Sequence, residues 1–219
     1  MAIVYPRSLP ICAFNGECSF QLKRNQSRSL TGAGSPNAAE VAPAMWEAKY
    51  RTKILGRAAF AEVGAWLESL RGGLRTFRAT VPRHRWPLAY PRGFSGLTVS
   101  GSPFSGSGTL TSIGSGRDTI TVGSLPAGFV LSPGDWLSIP VGSRQRLHRI
   151  LEGGSASGLG AVNLTVEPVI DPAVVTSGDP VPVLFDAPWC DMVLSAPFEM
   201  PRDPVRGGSV SFEGLQVLI

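Results

Sequence analysis

Residues 45–55, MWEAKYRTKIL, alternate strictly. Trp46, Ala48, Tyr50, Thr52 and Ile54 share one parity, and Glu47, Lys49, Arg51 and Lys53 share the other. A two-residue period with one apolar and one charged side is the pattern of a β-strand with one face in a core and the other in water. At about 3.3 Å per residue the run extends roughly 36 Å, about twice the commonest strand length. So long a strand needs neighbours along its length and a layer on its dry face, and the rest of the chain must supply both.

The layer follows directly. Between Gly56 and Gly72-Gly73, the segment RAAFAEVGAWLESLR sets Phe60, Val63, Leu67 and Leu70 at helical spacing, with Ala59 and Trp66 widening the stripe. Arg57, Glu62, Glu68 and Ser69 lie mainly elsewhere. Phe60, Val63, Trp66, Leu67 and Leu70 are therefore expected to pack the helix on a sheet, with Gly72 closing it in the C′ position. LRTFRATV then alternates again, Phe77, Ala79 and Val81 against Thr76, Arg78 and Thr80, so the two strands framing the helix could pair in one sheet.

Upstream, residues 5–22 suit an irregular strand pair, and 25–39, NQSRSLTGAGSPNAA, read as an exposed loop. Downstream, PRHRWPLAYPRG (82–93) interrupts regular structure with its prolines and reads as a hinge between units. Beyond it come the short runs GLTVSG, RDTITVGSL, GDWLSIPV, QRLHRILEG, GAVNLTVEPVI and DPVPVLF, separated by Gly, Ser, Pro or Asp. Without a helical period, they predict a small β-barrel or sandwich. Its inward faces would come from Ile120/Val122, Leu137/Ile139, Val162/Leu164/Val166 and Val181/Val183/Phe185. The chain ends in DMVLSAPFEMP and GGSVSFEGLQVLI, where an alternation begun by Val210 and Phe212 changes parity near Gly214, as at a bulge or bend. So apolar a last strand needs a sheet to join, and the N-terminal one is the candidate. The expected class is mainly β (α+β), with residues 1–92 and 188–219 forming one domain and 93–187 inserted as a β-barrel (OB-like) or β-sandwich.

Chemistry is sparse in the 219 residues. Lys+Arg of 20 against Asp+Glu of 16 leaves +4, and 16% charged residues is below the usual share of about 25%, so charge alone argues weakly for nucleic acid or membrane. Arg83, His84, Arg85 and Arg92, with Trp86 and Tyr90 between them, are a mixture able to stack bases, but read first as a solvated or subunit-facing loop. Cys12, Cys18 and Cys190 are an odd set without CxxC spacing, arguing against a disulfide framework or a zinc site. Buried thiols are expected, with a Cys12–Cys18 bridge possible by spacing. No run approaches the roughly 20 apolar residues of a membrane span and no signal peptide is evident, so a soluble, cytoplasmically made protein is expected.

His84 and His148 are the only histidines, and His148, within QRLHRIL, reads as structural. No GxSxG, HExxH, Walker or dinucleotide motif occurs, and SGSPFSGSGT and GSGRD read as turn glycines because no Lys-Ser/Thr or helix follows them. Asp118, Asp135, Asp171, Asp179, Asp186 and Asp191 have the neighbours of turn and strand-end aspartates. Carboxylates that pair only in space, Asp135 and Asp186 for instance, are invisible to such a reading. Trp136 and Trp189 could stack on sugar but read first as core. No catalytic, metal or cofactor residue is assigned, and the expectation is a protein that is not an enzyme and uses no cofactor.

The order of elements carries a resemblance. AMWEAKYRTKIL, AAFAEVGAWLESLRGG and LRTFRAT resemble the tail-tube-like domain of the distal tail proteins of long-tailed bacteriophages, and SPGDWLSIP, QRLHRILEG and AVNLTVEPVI resemble segments of related tail proteins. The resemblance implies a tail-tube-like β-sandwich with one packed helix, and a ring of usually six copies. That ring joins the tail tube protein to the tip hub or baseplate and encloses a channel for DNA. The protein would then be a structural part of the virion tail tip, assembled in the host cytoplasm. Glu47, Lys49, Arg51 and Lys53 would face the channel or a neighbouring subunit, their mixed sign letting DNA slide. Other readings are a tail-tube or tail-terminator subunit, and a carbohydrate-binding module for host attachment that uses Trp136 or Trp189. The chain lacks the long C-terminal extension of larger family members, so a receptor-binding module of the kind some carry is not expected.

Overall fold

The computed structural model describes residues 3–10, 18–30, 32, 34–176, 178–201 and 207–218. Cys12, and with it the question of a Cys12–Cys18 bridge, lies outside the described residues. The chain runs β1 (Arg7–Ser8), β2 (Cys18–Leu30), β3 (Pro36–Arg51), α1 (Arg57–Ser69) and β4 (Phe77–Thr80). It continues through β5 (Thr98–Val99), β6 (Ser102–Pro103), β7 (Ser107–Ile113), β8 (Thr119–Gly123), β9 (Val130–Leu131), β10 (Trp136–Val141) and β11 (Arg144–Glu152). It ends with β12 (Gly154–Ser155), β13 (Val162–Glu167), β14 (Val181–Leu184), β15 (Trp189–Leu194) and β16 (Ser211–Gln216). The protein is mainly β, with one α-helix among the described residues. None of its described helices is long and apolar enough to cross a membrane.

One six-stranded sheet, in the order β1-β4-β15-β16-β3-β2, draws strands from both ends of the chain. The alternating run is the inner half of β3, where Ala44, Trp46, Ala48 and Tyr50 are buried. The strand stops at Arg51, and Ile54 is 81% exposed. Strands β3 and β4 do not pair, because β15 and β16 lie between them. A flat sheet would hold β3 and β4 three spacings apart, about 14 Å. Tyr50 Oη nevertheless donates to Thr80 O at 3.1 Å, so the sheet curls around its apolar side. Inside the curl Tyr50 stacks on Phe212 (centroids 5.0 Å), and Trp66 of α1 meets Phe77 at 5.5 Å and Phe212 at 5.7 Å. Phe60, Val63, Trp66, Leu67 and Leu70 all lie in this core.

The helix ends one residue earlier than its glycines suggest. Leu70 is the cap, Arg71 takes the left-handed C′ conformation at φ 51°, and Gly72 and Gly73 continue left-handed. Gly73 has a second reason to be glycine, since a Cβ there would meet Leu194 O at 2.7 Å.

Three other expectations are corrected. Residues 25–39 are mostly not loop: β2 and β3 pair from Cys18↔Tyr50 out to Leu30↔Pro36, a hairpin whose outer part is so exposed that it shows no apolar period. Strand β16 has no bulge, and Val210, Phe212, Gly214 and Gln216 are buried in regular alternation. The apparent change of parity arises because Gly214 leaves its space to Phe77 and Met192, while the buried Gln216 Oε1 accepts the Trp46 N–H at 3.2 Å. Finally, one glycine of SGSGT is a strand residue: Gly106 takes a left-handed turn conformation at φ 82°, as expected, but Gly108 belongs to β7, where a Cβ would approach Val122 Cγ1 to 2.7 Å.

The inserted unit is a closed barrel, β10-β11-β13-β8-β7-β14, with every neighbour antiparallel. GLTVSG supplies only β5, half of a two-stranded ribbon outside the barrel. Ile120, Val122, Leu137, Ile139, Val162, Leu164, Val166, Val183 and Phe185 fill its interior. The barrel closes on the curled sheet through Trp136, whose ring meets Trp46 at 4.8 Å and Phe20 at 6.0 Å. Trp46 Nε1 donates to Leu147 O at 2.7 Å, and Arg146 binds both Asp171 (2.6 Å) and the carbonyl of Leu218. The proline-rich crossing 82–93 is pinned to the barrel, with Tyr90 stacked on Phe129 at 4.7 Å and Leu88 N–H donating to Asp135 at 2.8 Å.

A candidate assembly surface on the long hairpin

The root of the β2–β3 hairpin belongs to the core, and its outer part does not. From Ser27 to Leu30 and from Pro36 to Val41 every residue is exposed, including Leu30 (74%) and Val41 (72%). The register shifts around Asn25, whose Nδ2 donates to Pro43 O at 3.2 Å, and Arg24 pairs with Glu167 at the end of β13 at 3.0 Å. These contacts fix the arm's departure from the body. Strand β2 is also a sheet edge, so among the described residues its outward N–H and C=O groups have no strand beside them. An exposed edge of this kind is a template for pairing with another chain.

Glu47, Lys49 and Arg51 lie on the face of β3 opposite the core, and Lys53 lies just beyond the strand, exposed. Lys49 Nζ is 2.8 Å from Glu213 on β16 and 4.0 Å from Glu47, and its hydrogen bond with Glu213 holds the ammonium above the usual lysine range. The surface here is a lattice of opposite charges rather than a basic stripe.

The other candidate residues are structural or scattered. His148 is 1% exposed, and its Nδ1–H donates to Pro168 O at 2.7 Å, which fixes the neutral tautomer. Burial lowers its pKa to about 4. Asp135 accepts the N–H groups of Leu88 and Ser132, Asp186 pairs with Arg85, Asp171 with Arg146, and the buried Asp191 accepts the Gln145 N–H. Asp135 and Asp186 thus have separate partners. Trp136 is core, and Trp189 is half-buried beneath Arg78. Cys190 is a buried free thiol and Cys18 is half-buried. Among the described residues no group of three His, Cys, Asp or Glu is placed to hold a metal ion.

Sequence reading missed the arm because it has neither an apolar face nor a helical period. A signal was present in small polar residues on either side of TGAGS, a turn composition. Comparison with family models and with curated proteins finds no match to this chain.

Proposed function

We propose that this protein is a structural ring subunit of a phage tail tip, in which copies associate head to tail and enclose the channel between tail tube and tip hub. The observation that carries the reading is the outer β2–β3 hairpin. A two-stranded hairpin alone in water is at best marginally stable. This one extends past the core with both faces exposed and its β2 edge open, so a neighbouring surface is needed to hold it. If the receiving surface lies elsewhere on an identical copy, the contact is heterologous and a ring results where the rotation closes. The element order resembles that of distal tail proteins, which favours six copies. In such a ring the charge lattice of Glu47, Lys49, Arg51 and Glu213 would present both signs to passing DNA, leaving few unopposed cations to grip phosphate.

Light scattering on the purified protein tests the proposal. The expected species is discrete, near six times 23.1 kDa, and it should fall to monomer when residues 25–42 are replaced by a tight Asn-Gly turn. A chain that stays monomeric at every concentration, or a trimmed chain that keeps the full-length mass, would sink the reading.

A further inference from the structure

The outer hairpin is open along β3 as well as along β2. Strand β16 runs beside β3 only as far as the Leu215↔Glu47 pair, and Gln216 closes that run by accepting the Trp46 N–H at 3.2 Å. From Met45 outward, among the described residues, no strand lies beside β3 on the side away from β2. Pro36 is the first residue of β3 and Pro43 lies where the register shifts, so residues 37–42 between them keep every backbone N–H. On the other edge, β2 has no proline from Cys18 to Leu30. From Gln26 outward that edge is about 26 Å or more from Cys18 along the strand, beyond the reach of residues 11–17, which are tethered at both Pro10 and Cys18.

The two edges differ in sign. Strand β2 carries Lys23, Arg24 and Arg28 and no acid, whereas β3 from Pro36 to Glu47 carries Glu40 and Glu47 and no cation. Arg24 is held by Glu167 and Glu47 lies 4.0 Å from Lys49, so beyond Asn25 the arm itself presents Arg28 and Glu40. The pairs Gln26↔Glu40 and Arg28↔Ala38 set these two side chains on one face, Arg28 at the β2 edge and Glu40 at the β3 edge. They do not pair within the arm: Arg28 Nη2 donates to Gln26 Oε1 at 3.2 Å, and among the described residues Glu40 makes no ion pair. Identical arms can meet edge to edge as β2 with β2, β3 with β3, or β2 with β3. The first sets cations against cations and the second acids against acids, and both are two-fold contacts that end at a dimer. The third brings Arg28 to Glu40 and repeats head to tail. With the arms pointing the same way it is antiparallel, like the hairpin itself.

We propose that each arm joins the next copy by strand pairing, its β2 edge over residues 26–30 against the neighbour's β3 edge over residues 36–42, with Arg28 of one copy meeting Glu40 of the next. This rests on the ring reading above and names the contact that closes the ring. Arms joined in this way form one sheet, in which neighbours satisfy the outward N–H and C=O groups of each hairpin. Light scattering on the full chain over a concentration series tests it. Arg28→Glu and Glu40→Lys, both at exposed positions, should each raise the concentration at which the assembly dissociates about fivefold. An equal mixture of the two variants should return it to the parent value, because in an alternating ring substituted edges meet substituted edges and native edges meet native ones. No repair within a single arm can do this. An assembly that requires the arm yet ignores Glu40→Lys, as a two-fold β2 contact would, overturns the edge pairing and leaves the ring reading standing. A mixture no tighter than the single variants does the same. A parent chain that is monomeric at every concentration overturns both.

Discussion

At the residue scale, His148 and Gly214 show how a buried position constrains one side chain. His148 has its pKa lowered to about 4, chiefly by burial, against about 6.5 when unfolded. Its neutral form is favoured in the fold, so its contribution is complete above pH 6.5. As pH falls from 6.5 toward 4 the unfolded chain takes up the proton first, and stability declines. The full difference is about 3 kcal/mol. Denaturant melts across this range should show the decline, and His148→Asn should flatten it. Gly214→Ala is expected to destabilise by about 1–3 kcal/mol, because its Cβ would sit 2.8 Å from Phe77 and 3.1 Å from Met192 Sδ. A denaturation midpoint equal to that of the parent would refute the close-approach account.

Elements here are held by a few directional contacts laid over apolar packing. The segment after β13 is clamped by Arg117, which donates to the carbonyls of Ile170 (2.8 Å), Asp171 and Val174 (2.7 Å). Arg117→Met removes all three bonds and leaves part-buried carbonyls without them. A loss of about 2–4 kcal/mol is expected, with faster amide exchange confined to residues 169–175. Global acceleration of exchange would instead mean that Arg117 supports the whole barrel. The helix needs no such clamp, because its stripe from Phe60 to Leu70 is buried and Trp66 Nε1 reaches Ser8 O at 2.9 Å.

For the whole molecule the question is whether sheet and barrel unfold together. Trp136 and Leu147 of the barrel belong to the same apolar cluster as α1 and the sheet, which couples the two units. A single calorimetric transition is expected for the parent chain. Trp136→Ala should lower stability by about 3–5 kcal/mol and separate barrel from sheet into two transitions. Two transitions already present in the parent would show that the tryptophan contact does not couple them. At this scale the hairpin also acquires its meaning, since the inner face of the sheet is packed while, among the described residues, the arm extends past the core without cover.

Much of this architecture was readable from side-chain periodicity. The dry face of β3, the stripe of α1 and the inward residues of β8, β10 and β13 each repeat with the period of their element, and burial follows that period wherever one face meets a core. Periodicity was silent or misleading where backbone alone made the pairing. The outer hairpin has no apolar face, β7 begins among glycines, and Gly214 and Gln216 occupy core positions without the apolar side chain that marks one. The surroundings of Arg83 were invisible for another reason. Arg149 and Trp189 lie far from it in sequence and come near it only when β15 pairs with β4 and the barrel closes on the sheet, whereas Arg78 is on the strand that leads to it. The sequence by itself determined which faces are apolar and, where one face meets a core, which segments are strand or helix, because those are local consequences of side-chain order. Tertiary structure decided which strands are neighbours, what stays uncovered and which charges come near one another, because each depends on contacts between residues far apart in the chain.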